Sequence, residues 1–435
     1  MAKAYKAKWI IPSDGNVYKD CILTVDEGKI AEIVQKEHFD ETKYAHIKDF
    51  GNSIITPGFV NLHNHLQYSF LENTKKTNFK AKIKRFYTIL KRNYFLGGLS
   101  KKSFVYRLAN LLSDYFCMSR DEKIASFKKG AQESLLSGTT CVAQLSQESK
   151  YFDVLNEMPL KTYLFFELFS DSVESSKEEF YSIEKKIEKL NKQKSDSTFV
   201  GVAPHSVCCV HKRLFSILEK YCKKNNILMT IRLAESKEEM DWLKNGFSDV
   251  DYLNEFTGQH KFEPAFVNLS PVRYLEEMGL LSKQLIISYG NYLSELDLEI
   301  LKMNEVSLAY CPRISDNLHH KKLSLDTVLK YFPERFGFGT NSLAFNSDLS
   351  LLNEVKYADS GKLDVVEALK YLTIIPAKIL RLNNLIGSLE RDKDADFNVF
   401  ELKENEDYNA IFDKQNPKDV YIKGKHIVKD YKLNI

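Results

Sequence analysis

The stretch that most constrains this chain is Thr56-Pro57-Gly58-Phe59-Val60-Asn61-Leu62-His63-Asn64-His65. Pro-Gly opens an apolar run, and the run ends on two histidines one residue apart. In a β-strand, residues i and i+2 point to the same face, so both imidazoles are aimed at one place. A strand ending this way delivers two nitrogen donors to a single point, as a divalent-metal site requires.

The rest of the chain says what kind of strand this is. Amphipathic helices, such as the one marked by Phe180, Ile183, Ile187 and Leu190 at 3–4 spacing, alternate with short apolar strands. The strands include Phe199–Ala203, Ile227–Ile231, Leu285–Ile287 and Val306–Ala309. Glu238-Glu239 with Trp242-Leu243 open another helix. Repeated strand–helix units predict a parallel α/β architecture, either a barrel or a doubly wound sheet. The two ends read differently, as short strands and turns: Lys8–Ile11, Cys21–Val25 and Ile30–Val34 at the front, Ala395–Phe400 and Asp419–Lys425 at the back. Segments 1–55 and 385–435 are therefore expected to build one small β-domain around a large domain at 56–384.

Charge narrows the function classes. With 62 basic and 59 acidic residues the net charge is +3, which on bulk electrostatics argues against a nucleic-acid or membrane-surface protein. Met1–Ile10 has lysines but no apolar signal core, and no apolar run reaches the length of a membrane span. The seven cysteines show no CxxC spacing, as expected for free thiols in a reducing cytoplasm. Adjacent Cys208 and Cys209 read as small hydrophobes in a loop, and adjacent His319 and His320 as solvated side chains. One local departure is a basic run with Lys75, Lys76, Lys80, Lys82, Lys84, Arg85, Lys91 and Arg92. Phe79, Ile83, Phe86 and Leu90 form one helical face among these cations. The expectation is a solvated helix over a barrel mouth.

Six segments, in order, resemble the amidohydrolase superfamily in its triazine-hydrolase and nucleoside-deaminase branch. After the Thr56–His65 stretch come Glu133–Thr140, similar to an LxxGTT step, and Val202-Ala203-Pro204-His205-Ser206, similar to APHxP. Then Thr230–Ser236 resembles xHxxE, Gly339-Thr340-Asn341-Ser342 resembles GTDS, and Ile386–Asp396 resembles the closing GSL…DAD segment. The resemblance implies a TIM-like (β/α)8 barrel with a small β-sandwich built from the two termini. It also implies a metal held by the HxH pair, a fifth-strand His and an eighth-strand Asp, with a nearby carboxylate moving protons. The surroundings of Glu235 are most similar to aminofutalosine-type deaminases.

Carried over position by position, His63, His65, His205 and Glu235 stand as expected. Arg232 stands where the third metal His belongs, Asn341 replaces the Asp, and Tyr289 replaces the sixth-strand His. Cys311–Ser315 also departs from the seventh-strand pattern. These changes are severe. Catalytic zinc needs about three protein ligands and an open position, and a guanidinium cannot deprotonate to become a ligand. A unit cation about 4 Å from a divalent ion repels it by roughly 8 kcal/mol at an effective dielectric of 20.

The expected function is that of a C–N hydrolase relative, deaminase-like or chlorohydrolase-like, with altered, reduced or lost hydrolysis and a retained small-molecule pocket. Catalytic candidates are Glu235, His205 and Arg232; substrate-binding candidates are His205, Glu235 and Tyr289; His63 and His65 remain as residual metal ligands. No cofactor is expected; if one is present, it is a single Zn or Fe ion. Partners are expected to be a small, purine-like molecule and either a second copy or an active relative, with no nucleic acid or membrane. The alternative is an active metal-dependent deaminase of an amino-purine-like substrate with a rearranged site. In the first reading, Arg232 pairing with Glu235 or Asn341 fills the vacated space, and His63 and His65 become core polar groups bonded to Arg232, Asn341 or water.

Overall fold

The computed structural model describes residues 2–69, 79–148, 151–192, 196–359, 361 and 363–434. Lys75 and Lys76 of the basic run lie outside the described residues, as do the side chains of Phe79, Lys80 and Lys82.

Eight parallel strands form the centre of the molecule: β1 (Phe59–Asn64), β2 (Thr139–Ser146), β3 (Lys161–Leu168), β4 (Thr198–Pro204), β5 (Met229–Leu233), β6 (Leu285–Tyr289), β7 (Ser307–Tyr310) and β8 (Phe336–Phe338). They pair in chain order. Every residue of β2 and β3 is buried, the near-continuous apolar run of a parallel sheet covered on both faces. The helix Val173–Lys192 turns Ile183, Ile187 and Leu190 inward, as its spacing predicts.

The seam between the last and first strands closes through Asn341. Its N–H donates to the His63 carbonyl at 3.0 Å, and the His65 N–H donates to the Asn341 carbonyl at 2.8 Å. Asn61 and Asn64 add side-chain bonds to Thr340 Oγ1 at 2.7 and 3.1 Å. Gly339 beside them has to be glycine, since a Cβ there would sit 2.7 Å from the His63 Cβ. The periodicity left barrel and doubly wound sheet open; the sequential strand order and this seam decide for the nearly closed barrel.

The terminal strands pair into a separate nine-stranded mixed sheet in which Ser53–Pro57 lies between Lys3–Ile10 and Phe397–Glu401. The stretch Asp419–Lys425, expected as one strand, is broken. Lys423 and Gly424 both take positive φ, 47° and 65°, so the chain turns back as a hairpin into Lys425–Lys429. The sheet is tied to the barrel by charge. Buried Lys161, opening β3, reaches Asp394 at 3.0 Å and Asp396 at 2.6 Å, the two carboxylates of the closing sequence segment.

Two helices, α1 (Phe79–Leu96) and α2 (Phe104–Cys117), follow β1, and two more, α3 (Lys237–Asn245) and α4 (Val250–Thr257), follow β5. α1, α2 and α4 pack on one another. α2 and α4 supply much of the roof of the cavity described next. No helix among the described residues is long and apolar enough to cross a membrane.

Candidate functional site

At the carboxyl ends of the strands, where barrel folds place their sites, lies a cavity of about 310 Å³. His65, His205, Arg232, Glu235, Tyr289 and Asn341 all line it. One end is polar. The other end is apolar, walled by Leu108, Leu111 and Phe116 of α2 and by Leu253 of α4. Cys208 and Cys209 also line it from the loop after β4, buried and unbridged.

Arg232 is the centre of the polar end. It comes from the fourth position of β5, and its Nη2 donates to His65 Nε2 at 2.7 Å and to Glu167 Oε1 at 3.0 Å. Glu167 is on β3 and 6% exposed, so this is a buried ion pair. Of the partners expected for Arg232, His65 of the HxH pair is bonded to it, whereas Glu235 and Asn341 do not hold it by hydrogen bond. Glu235 lies beyond the end of β5, after Ala234 at a positive φ of 50°. Asn341 is engaged elsewhere. Burial opposes the Arg232 charge, and the Glu167 carboxylate more than offsets that, so the guanidinium is held protonated more firmly than usual.

That cation sets the state of the histidines around it. Burial first, and Arg232 second, hold His63, His65 and His205 well below the ordinary imidazole pKa, so all three are neutral at physiological pH. The His63 and His65 rings stand 5.1 Å apart and edge to face. Since Arg232 donates to His65 Nε2, the proton of His65 sits on Nδ1, near the Leu145 carbonyl. His63 Nδ1 lies 2.9 Å from Ser288 Oγ, and its Nε2 lies 3.2 Å from the Tyr289 hydroxyl. Asn341 Nδ2 donates to that hydroxyl at 2.5 Å. Tyr289 holds this position at a φ of 74°, a strained conformation for a bulky residue, of a kind found mostly where a site over-determines it.

Both Nε2 lone pairs of the HxH pair therefore face donors from this chain. Among the described residues, no three His, Cys, Asp or Glu side chains converge as a metal ion requires. At this point the HxH pair is accompanied by a guanidinium and an amide, where a catalytic divalent ion takes about three neutral or anionic ligands.

The remaining groups are proton-active. Burial pushes the Glu235 carboxyl up to about 7, against the pull of Arg232. Glu239 accepts backbone N–H bonds from Ala234 and Glu235 at 3.2 and 2.9 Å and is pushed up to about 8 by burial. It begins α3, as the sequence predicts, and braces the loop that carries Glu235. His205 stacks on Phe169 at 4.6 Å and contacts Ser206 Oγ at 3.3 Å. His320 corrects the expectation of a solvated side chain. Its ring packs on Phe104 at 4.8 Å, and burial pushes it down to about 4. Arg313 of the divergent seventh-strand segment is clamped by Asp348 at 2.8 and 2.9 Å and does not line the cavity.

Glu167 and Tyr68, which both line the cavity, are among the site residues that sequence reasoning missed. Glu167 had a visible signal, a lone carboxylate closing the apolar run Tyr163-Leu164-Phe165-Phe166. Tyr68 had none, since it owes its place to the short turn Leu66–Tyr68.

Comparison with known proteins supplies context. The model of the amidohydrolase family matches residues 54–427. A 5-methylthioadenosine/S-adenosylhomocysteine deaminase of Clostridium tetani is 25% identical over 290 residues, which cover 64% of this chain and 62% of that protein. The crystal structure of Helicobacter pylori aminofutalosine deaminase with methylthio-coformycin superposes with a TM-score of 0.78 at 21% identity, covering 98% of this chain and 100% of that one. A zinc-bound adenosine deaminase of Xanthomonas campestris gives 0.73 at 18% identity, covering 99% and 94%.

Proposed function

This chain belongs to the amidohydrolase family, and from that membership we propose that it is a deaminase-type relative which keeps a pocket for a neutral, purine-nucleoside-like molecule while its metal-dependent hydrolysis is lost or reduced. The observation that carries this reading is the Arg232 guanidinium, 2.7 Å from the His65 nitrogen that a metal would need and paired to Glu167. A guanidinium polarises a carbonyl or steadies an anion, but it does not generate hydroxide from water at neutral pH.

Each retained group keeps a role toward a ligand. Glu235, with its carboxyl pushed up to about 7, exchanges a hydrogen bond or a proton with a heteroaromatic ring nitrogen. His205 and the Tyr289 hydroxyl flank the same space, and Arg232 presents its charge to a ring carbonyl. The ligand is neutral because Arg232 already has its counter-charge. The deaminase relatives and the apolar wall of α2 support a ring with an apolar substituent.

The test is elemental analysis of protein purified without chelator or affinity metal, together with calorimetric titration of 5-methylthioadenosine and its deaminated product. The expected result is zinc, iron and manganese far below one per chain even after added zinc, with saturable nucleoside binding and no deamination. Near-stoichiometric metal accompanied by deamination overturns the reading in favour of an active enzyme with a rearranged site. Absent nucleoside binding removes the proposed ligand.

A further inference from the structure

The balanced net charge hides a strongly polarised segment. Between Asn73 and Ser113 the chain has eleven Lys and Arg and no Asp or Glu, so the remainder is net acidic. α1 runs through this segment. At about 100° per residue, Thr88, Ile89, Arg92 and Leu96 share the side packed against the protein. The opposite side is an apolar stripe of Ile83, Phe86, Tyr87, Leu90 and Tyr94, all between 42% and 83% exposed. Five of the thirteen large hydrophobic side chains exposed among the described residues are thus on one helix, in one line. Lys84, Arg85 and Lys91 are exposed as a solvated face requires, although Lys91 also reaches over the Phe256 ring at 6.0 Å and Arg92 is turned inward; five large apolar side chains in a row are not what a solvated face presents.

We propose that α1 is a docking surface for an anionic lipid bilayer, lying in the headgroup layer with the Ile83–Tyr94 stripe inserted and Lys84 and Lys91 beside it at the phosphates. Charge decides the occupant. A second copy seated stripe to stripe would bring two all-basic helices together. An acidic protein groove would match the cations, but a straight row of three aromatic and two aliphatic side chains with no acidic residue is the pattern of an interfacial helix. The packed side leaves that row free. Arg92 is turned inward, bonded to Asn110 at 2.6 Å, and Arg85 is tied to Asp114 at 3.5 Å on α2, so the helix is anchored to the roof of the cavity while its far side stays open. This inference is independent of whether the barrel hydrolyses anything.

Co-sedimentation of the full chain with vesicles tests it. Vesicles of phosphatidylcholine alone are compared with vesicles that also contain phosphatidylglycerol, at low and high salt. The expected result is binding to the anionic vesicles only, weakened by salt, and reduced roughly tenfold or more by F86S/L90S and by K84E/K91E. These side chains are exposed, and unchanged urea midpoints confirm that the variants fold. No co-sedimentation overturns the proposal, and so does vesicle binding that both variants leave unchanged. Retention on soluble polyglutamate without vesicle binding assigns the face to an acidic protein and overturns it. A dimer that F86S/L90S abolishes, again without vesicle binding, assigns it to a second copy.

Discussion

Replacing Glu167 by Gln keeps the shape and one acceptor of the Arg232 partner but removes its charge. At the observed 3.0 Å, a unit pair interacts by about 5–6 kcal/mol at an effective dielectric of 20. Breaking a buried pair by removing one partner costs about 3–5 kcal/mol, because the other charge is left uncompensated. The three histidines nearby are neutral, so only Glu235 can take over as counter-ion. Its carboxyl, pushed up to about 7, is ionised at pH 8 and protonated at pH 5.5. Ionising it at the lower pH costs about 2 kcal/mol more. Glu167→Gln is therefore expected to lose about 3 kcal/mol at pH 8 and about 5 kcal/mol at pH 5.5. Urea unfolding followed by fluorescence of buried Trp242 reads both values. The double variant Glu167→Gln/Arg232→Met, which removes both charges, is expected to return to within about 1–2 kcal/mol of the parent. The resulting coupling energy is at least about 2 kcal/mol. A single-variant cost below about 1 kcal/mol at both pH values, or additive costs in the double variant, refutes the idea that Arg232 is a buried cation held by Glu167.

Arg232→His combined with Asn341→Asp puts back the two ligand types that the HxH pair lacks, and zinc is expected to rise from far below one to near one per chain by elemental analysis. An unchanged zinc content refutes the view that these two residues close the site. Glu235→Gln tests the buried carboxyl. Its folded pKa is raised, so the folded state holds a proton that the unfolded state has released, and its contribution to stability falls as pH rises from about 4.5 to about 7. The melting temperature of Glu235→Gln relative to the parent is thus expected to be higher at pH 8 than at pH 5, and a flat difference contradicts it. Lys161→Met strands the Asp394 and Asp396 carboxylates at the joint between barrel and terminal sheet. A loss of about 3–5 kcal/mol in urea unfolding is expected, with nucleoside affinity unchanged; a loss below about 1 kcal/mol contradicts the buried-pair account.

Much of the fold was legible because periodicity reports which side of an element is buried. The spacing of Ile183, Ile187 and Leu190 and the apolar runs of β4 to β7 placed those elements with errors only at their ends. Asp419–Lys425 failed because a Lys-Gly turn inside a short apolar run carries little signal until a partner strand demands the reversal. At the site, the order of the motifs located His65, His205, Arg232, Glu235, Tyr289 and Asn341, and the structure brings them to one cavity. The Arg232–His65 contact was an expectation, but the charge partner of Arg232 was not legible. Glu167 precedes Arg232 by 65 residues and meets it only because β3 and β5 are next-but-one neighbours at the same end of a closed sheet.

The barrel, and Arg232 and Asn341 as occupants of metal-ligand positions, were expectations from the family resemblance; by itself, the sequence determined that strands and helices alternate through the middle of the chain and that two histidines one residue apart end an apolar strand. Those are local statements, settled by residue type and by spacing along one element. Only the tertiary structure decided that the arginine is neutralised by Glu167, that Tyr289 caps His63, that α2 roofs the cavity, and that the apolar stripe of α1 faces outward. Each of these depends on how closing the barrel sets one strand's register against another, and on which helix face finds a neighbour. No single segment carries that information.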